Sequence, residues 1–407
     1  MFLLSTIAML LAIRRASVVC ASALSPNTPK PISLPLTLIH GDGGQGPVYL
    51  ANISIGNPPQ TVTVQIDSGS SDLWVFSDKV DCNVRNGCHG GTYDPHASST
   101  FQKDLPGLFE FSYGSGNSGS DDYIRDDVHI GGVTVKKFRV GLANTTGPAD
   151  WPLYGIMGLS FPEGEFLVHQ GYPEHQYPVL VEEMALQGLI HTPTFSQYLN
   201  DVRSQGSLLF GGIDHAKLAD EIKEFEVINF SGRYSQWYLN LTGVGVTVDG
   251  SDTTWFSNSS VTGPAFLDSG SPKAFLPASS SISLILSVGA SYDPSLTMSM
   301  IPCSAQYRPG AASTTIDFAF GGSNEAVIRV PLEQMIERYP DPNPPMMGAE
   351  TACSFGVSPG PDGFMVLGDT FIRGAYTVHD LEKKTLGLAN AKLNVTESEI
   401  RPIIYKR

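Results

Sequence analysis

Two short acidic turns carry the residue types and spacing that could do chemistry. The stretch "QIDSGSSDLW" (65–74) places Asp67 between an apolar run and a Gly/Ser turn, and its core returns 201 residues later in "AFLDSGSPKA", around Asp268. Each acid is followed by Ser, Gly and Ser: Ser68, Gly69 and Ser70 in the first copy, Ser269, Gly270 and Ser271 in the second. A carboxylate at a Gly-backed turn is within reach of backbone N–H groups and of neighbouring hydroxyls, here Ser70 and Ser271, which stabilise its charge and fix its rotamer. Two such carboxyls a few ångströms apart do not both ionise readily, so one proton is shared and the pair titrates as a unit. A water held between them can lose a proton to one Asp while the other protonates a carbonyl oxygen. That is general acid/base hydrolysis without a covalent intermediate and without a cofactor or metal.

Asp, Ser and Gly are common turn residues, and one such triplet would arise by chance about once in a few chains of this length. The surroundings of the two copies are what argue for function. Each follows an apolar strand-like run, and each precedes an apolar pair closed by Gly: Ile156-Met157-Gly158, 91 residues after Asp67, and Val366-Leu367-Gly368, 100 residues after Asp268. This internal repeat is too long for a solenoid unit and suits a pair of lobes. The elements that must position the acids are strands. "VYLANISIG" (48–56) and "PPQTVTVQID" (58–67) read as a hairpin around Asn57-Pro58-Pro59, and "FEFSYGSGNSG" (109–119) as a second hairpin with a Gly-rich tip. "YLNLTGVGVTVDG" (238–250) and "GPAFLDSGS" (263–271) repeat the strand pattern, whereas 177–190 and 280–292 read as short helices covering the sheets. The fold class is all-β, with an N-terminal lobe over 47–217 and a C-terminal lobe over 218–407.

Composition agrees and excludes some function classes. Only 16% of the 407 residues are charged, while Gly and Pro number 42 and 29, favouring short strands and many turns. With 25 Lys and Arg against 40 Asp and Glu, the net charge of -15 repels nucleic acid and anionic membranes. An apolar stretch from Phe2 to Ile13 and a small-residue end, Ala21-Ser22-Ala23, read as a signal peptide over 1–23, although Arg14 and Arg15 follow the apolar run rather than precede it. About 12 apolar residues are too few for a bilayer that needs roughly 20, and no later segment reads as a membrane span. Beyond Cys20, four cysteines remain, Cys82, Cys88, Cys303 and Cys353. Three pairings are possible, and proximity in sequence favours Cys82 with Cys88 and Cys303 with Cys353. No Cys-x-x-Cys pair points to zinc. Sequons at Asn52, Asn144, Asn229, Asn240, Asn258 and Asn394 permit glycosylation in an exported glycoprotein. The expected location is extracellular, with a vacuole or lysosome-like compartment as the alternative.

At these residues the chain resembles the pepsin-like aspartic proteases over roughly 47–400. "IDSGSSDLWV" and "FLDSGSP" resemble the two active-site motifs and "SYGSG" the flap; "GIMGLS", "TFSQYL", "GSLLFGGID" and "MVLGDTFIRGAYTVHD" resemble framework segments in the same order. The resemblance implies a two-lobed fold with a long cleft, Asp67 and Asp268 as the catalytic pair, and Ser68 and Ser269 bracing the lobes beneath it, Ser standing in both braces where Thr is commoner. It implies that Tyr113 closes over the peptide from the flap, with Gly114, Ser115 and Gly116 forming a mobile tip, and that the Trp74 indole hydrogen-bonds the Tyr113 phenol. The implied protein is a monomeric endopeptidase acting on peptides at acidic pH, its apolar pockets preferring bulky hydrophobic residues on both sides of the scissile bond.

Two departures accompany the match. Pro272 stands where the family usually has a hydroxyl residue that helps hold substrate backbone, which predicts weaker affinity more than weaker chemistry. Relatives also carry a basic prosegment of several tens of residues; here 24–46 is short, Lys30 is its one cation, and "PISLPLTL" (31–38) resembles only the opening strand of such a segment. A catalytically silent binding or inhibitor relative is the alternative function, but such proteins usually lack one Asp, the flap Tyr or a hydroxyl beside the pair, and all are present here. A carbohydrate-acting enzyme with two carboxylates would not need duplicated turns. Some relatives accept Lys through an acidic residue after the flap Tyr-Gly, a position occupied here by Ser115. Ser115→Asp should therefore raise kcat/KM on a Lys peptide relative to its Phe counterpart, and an unchanged ratio refutes that assignment.

Overall fold

A computed structural model describes residues 29–40, 47–82, 88–114, 116, 118–146, 154–256, 262–311, 313–321, 326–338 and 343–405. The expected signal peptide, Ser115 of the flap and the Asn258 sequon lie outside these residues. The fold is all-β and two-lobed, with four short α-helices among the described residues: α1 (Phe166–His169), α2 (Leu180–Leu186), α3 (Ala278–Ser287) and α4 (Asp369–Ile372). Among the described residues no helix is long and apolar enough to cross a membrane.

Strand β1 (Ile32–Ile39) alternates buried Ile32, Leu34 and Leu36 with exposed Ser33, Pro35 and Thr37, so one face enters the core. It changes neighbour midway. Ile32–Leu36 pair antiparallel with β10 (Gly206–Phe210), and Thr37–Ile39 pair with β2 (Val48–Ile55). The stretch that resembles the opening strand of a prosegment is thus the seam that joins two parts of one 13-stranded sheet. From β2 that sheet continues through β3 (Gln60–Asp67), β8 (Gly155–Gly158), β4 (Leu73–Phe76) and β7 (Val133–Thr146) to the β5–β6 hairpin (Gln102–Ser112 and Ser118–Ile130). From β10 it runs the other way through β9 (Thr194–Tyr198) to Ala375–Asp380, Thr385–Asn390 and Lys223–Glu226. The C-terminal half builds its own eight-stranded sheet around Tyr238–Thr247 and Gly263–Leu267.

The sequence repeat becomes a structural one in the way each acidic turn is held. β3 pairs parallel with β8, Asp67 lying opposite Gly158, and β8 pairs antiparallel with β4, which follows the turn. In the second half Gly263–Leu267 pairs parallel with Val366–Leu367, and that strand pairs antiparallel with Ala274–Pro277. In both cases the apolar-apolar-Gly segment threads between the strand entering the turn and the strand leaving it. The glycines are required by space: a Cβ on Gly158 would run into the Ser71 and Asp72 backbone, and one on Gly368 into the Ser271 and Lys273 carbonyls.

Two aromatic groups fill the core beneath the turns. Trp74 stacks on Phe111 at 4.2 Å and meets Phe76 edge-on at 5.2 Å. Trp237 packs on Phe161 at 4.2 Å and on His379 at 4.7 Å. The structure pairs Cys82 with Cys88 and Cys303 with Cys353, the second bridge tying Cys303 to the buried Cys353 in the strand Glu350–Phe355. The helix expected over 177–190 is confined to 180–186, and the one expected over 280–292 spans 278–287; Ser291–Asp293 pairs instead with Met298–Pro302.

Gly158→Ala should cost about 1–3 kcal/mol, because the added methyl meets backbone that cannot swing away. Urea unfolding should show a lower midpoint with an unchanged slope; an unshifted midpoint would mean that the threaded strand has room to spare.

Candidate active site

Asp67 closes β3 and Asp268 follows Gly263–Leu267, each at the first residue of its turn. Gly69 N–H donates to Asp67 Oδ1 at 2.8 Å and the Ser70 hydroxyl donates to Asp67 Oδ2. The second copy matches: Gly270 N–H donates to Asp268 Oδ1 at 2.8 Å and Ser271 Oγ to Asp268 Oδ2 at 2.6 Å. The two turns face one another. A Cβ on Gly69 would sit 2.5 Å from Asp268 Oδ1, and a Cβ on Gly270 would sit 2.5 Å from Asp67 Oδ1. Each glycine is bare so that the opposite carboxylate can approach.

Below the acids, Ser68 and Ser269 are fully buried and exchange bonds across the lobes. Ser68 N–H donates to Ser269 Oγ and Ser269 N–H to Ser68 Oγ, both at 3.0 Å. The hydroxyls donate onward, Ser68 Oγ to Leu267 O at 3.0 Å and Ser269 Oγ to Ile66 O at 3.4 Å. A hydroxyl is the one group small enough to accept and donate at once in this space, so the methyl that Thr would add takes no part in these bonds.

Burial pushes the Asp67 carboxyl well above the ordinary carboxyl value, and the neighbouring Asp268 charge pushes it further, against the opposing pull of the Ser70 hydroxyl and the Gly69 N–H. A proton is therefore retained between the two acids at pH values where an exposed Asp is ionised.

Tyr113 directly follows the end of β5. Its phenol accepts the Trp74 Nε1–H at 2.8 Å, and its ring lies 5.5 Å from Phe111 and 5.7 Å from Phe166. Burial and the nearby Asp67 hold its ionisation well above the usual phenol value, so the hydroxyl keeps its own proton. Gly114 and Gly116 are exposed, and Gly116, with φ of 86°, donates its N–H to Tyr113 O at 2.9 Å. A left-handed φ there explains the glycine, since a Cβ would meet nothing.

Other groups around the site were not signalled by motif or spacing. Asp72, buried beneath Trp74's strand, accepts from Tyr123 Oη at 2.6 Å, Tyr177 Oη at 2.9 Å and Phe166 N at 2.9 Å. Beside it Glu165 accepts from Tyr177 N at 3.3 Å and is pushed up to about 10 by burial and the Asp72 charge. Asp369 is buried behind the pair with both carboxyl oxygens unpartnered in the described structure, and burial lifts it well above the carboxyl range despite the Arg373 guanidinium. Arg373 donates instead to Gln334 O at 2.6 Å and Glu337 Oε1 at 2.5 Å.

With this geometry in view, comparison with known proteins gives a consistent answer. Residues 48–391 match the family model described as "Eukaryotic aspartyl protease". A probable aspartic-type endopeptidase opsB of Aspergillus fumigatus is 32% identical over 365 residues, covering 88% of this chain and 71% of the relative. Candidapepsin of Candida tropicalis is 31% identical, covering 88% and 82%, and an acid protease of Saccharomycopsis fibuligera is 29% identical, covering 84% and 81%.

Raised acids fix the sign of the pH dependence of stability. A carboxyl whose folded value is raised contributes stability that is complete below its unfolded value, 3.8 for Asp and 4.5 for Glu, and is lost as pH rises toward its folded value. Asp201, held down to about 2 by Arg203, works oppositely and fails only in stronger acid. Thermal melting should therefore be highest near pH 4 and decline toward alkaline pH, and Glu165→Gln should flatten that decline. A melting temperature that rises from pH 4 to 8 contradicts the assignment.

Proposed function

The chain belongs to the eukaryotic aspartyl protease family, and from that membership we propose that it is an exported endopeptidase that cleaves peptide bonds between bulky hydrophobic residues at acidic pH. The single observation that carries the catalytic reading is the reciprocal approach of Asp67 and Asp268 over each other's glycine, with matching N–H and hydroxyl donors on each. One proton belongs to the pair. The ionised carboxylate takes a proton from a water held between them as the water oxygen bonds to the peptide carbonyl carbon, and the protonated carboxyl gives its proton to the carbonyl oxygen. The resulting gem-diol collapses when the carboxyl that took the water's proton gives it to the peptide nitrogen and the other carboxylate takes a proton from a diol hydroxyl as the C–N bond breaks, leaving a carboxylic acid, an amine and one proton on the pair. Tyr113, held by Trp74, would close over the substrate from the flap.

The aromatic rings of Tyr113, Phe111 and Phe166 beside the acids favour a peptide with apolar side chains flanking the scissile bond. Export is favoured by the two disulfides and by the signal-like 1–23; 24–46 would form a short prosegment-like region ahead of lobes over 47–217 and 218–407. Exposed Asn229 and Asn394 lie outside strands and are the sequons most open to glycans. Both catalytic acids come from one chain, so the unit of activity would be a monomer.

Hydrolysis of a denatured protein across about pH 3 to 7 tests this. The wild-type chain should be active in acid and inhibited by a statine-type mimic of the tetrahedral diol, and Asp67→Asn should lose activity by at least about a thousandfold, since no other group can share the proton. Activity that persists in Asp67→Asn, or that ignores the inhibitor, is incompatible with the mechanism.

A further inference from the structure

Above the buried serines, a second exchange of bonds crosses between the halves. Gln65 Nε2 donates to Gly270 O at 3.1 Å, and Gln236 Nε2 donates to Gly69 O at 3.1 Å. Each acceptor is the carbonyl of the glycine whose N–H holds the carboxylate of its own lobe, and each carbonyl belongs to the peptide that leads into the hydroxyl residue, Ser271 or Ser70, holding that carboxylate's other oxygen. The peptide linking the two donors of Asp268 is thus anchored from the first half of the chain, and the peptide linking the two donors of Asp67 from the second.

Both glutamines stand on firm supports. Gln65 lies in mid-sheet on β3, paired with Leu50 on one side and Ile156 on the other, and is buried. Gln236 belongs to a strip, 234–237, whose every residue bonds the opposite half: Tyr234 N donates to Glu163 Oε2 at 3.0 Å, Ser235 O accepts from Ser160 Oγ at 2.9 Å, and Trp237 Nε1 donates to Leu159 O at 3.1 Å. Neither side chain bonds the carboxylates themselves. We infer that Gln65 and Gln236 are positioning residues for the catalytic pair, exchanging amide hydrogen bonds across the lobes to fix the Gly-Ser peptides that aim Asp268 and Asp67 at each other.

This inference rests on the hydrolytic reading above and has its own signature. Losing the amide leaves the substrate groove in place but loosens the carboxyls' mutual geometry, on which the shared proton depends, so kcat should suffer and KM should not. Gln65→Leu and Gln236→Leu should each lower kcat about tenfold, the worth of one well-placed hydrogen bond, with KM on a Phe-Phe peptide within about twofold of wild type and an unchanged melting temperature. Gln236→Glu is the conservative rescue. Protonated, its carboxyl can still donate to Gly69 O and kcat in acid should approach wild type; once ionised it repels that carbonyl, so the alkaline limb of the kcat profile should move to lower pH. The pair's own titration, followed by carbon-13 NMR of labelled aspartate carboxyls, should shift in both Leu variants. Wild-type kcat and pH limbs in the Leu variants, a change confined to KM, or a kcat loss matched by a fall in melting temperature each overturns the inference. So does an unmoved carboxyl titration, even if the wild-type chain hydrolyses nothing; an inactive wild type with a shifted titration in the variants overturns the function alone.

Discussion

One constraint organises the site: two carboxyls from opposite halves of the chain stand face to face, although burial and the neighbouring Asp268 charge both oppose ionisation of Asp67. The repulsion is met by donors, a backbone N–H and a hydroxyl for each acid. The approach itself is possible only because the residue facing each acid has no side chain. Bare glycine is also the most permissive backbone residue, so the feature that lets the acids meet would let the turns wander. The serine exchange below and the glutamine exchange above restrain the same two turns from both sides.

That need explains why the sheet is built as it is. β1, β9, β10 and Ala375–Asp380 form an unbroken run linking strands from both ends of the chain, so the halves share hydrogen-bonded backbone as well as side-chain contacts. Trp237, with its ring on Phe161 and its N–H on Leu159 O, couples the second half to the residues just after Gly158, the strand threaded through the first turn. A shift between the halves would therefore be felt at the turn through three separate routes: sheet, indole and side-chain amide. At the flap, Gly114 and Gly116 are exposed, and Tyr113 is held by the Trp74 indole and by its ring contacts with Phe111 and Phe166.

Much of this was legible in the sequence because it is local. The acid, its glycine and its two hydroxyls sit within four residues, so the turn that serves them is written contiguously; the apolar-apolar-Gly segments marked the threaded strands, and the hairpin at 48–67 followed from alternation and Asn-Pro-Pro. Helix ends were read too long where apolar spacing continued past the helix, as at 291–293, whose neighbour is a strand with no local signal. What escaped were partners set by tertiary structure. Gln65 reads as a polar residue in a strand and Gln236 as a loop residue until each is seen beside a carbonyl 205 and 167 residues away, respectively. Asp72, Glu165 and Asp369 look like ordinary surface acids in a chain with 40 of them; only burial reveals their raised affinity for protons.

Those buried acids govern how the region around the paired turns responds to pH. An acid lifted by burial is best accommodated while it holds its proton and, once it loses it, places a charge where its few donors do not fully replace water. Asp72 and Glu165 lie under the very residue, Phe166, on which Tyr113 packs, and Asp369 lies behind Asp67 and Asp268. Raising the pH therefore strains the flap's support and the floor of the site together with the pair itself. The surface charge adds to this: with 15 more acidic than basic residues, self-repulsion grows as the exposed carboxyls ionise. Acid is thus the medium in which the raised Asp67 carboxyl, the packing around Phe166 and the overall charge are all least strained, a coincidence that follows from building the paired turns of carboxyls and enclosing them with more.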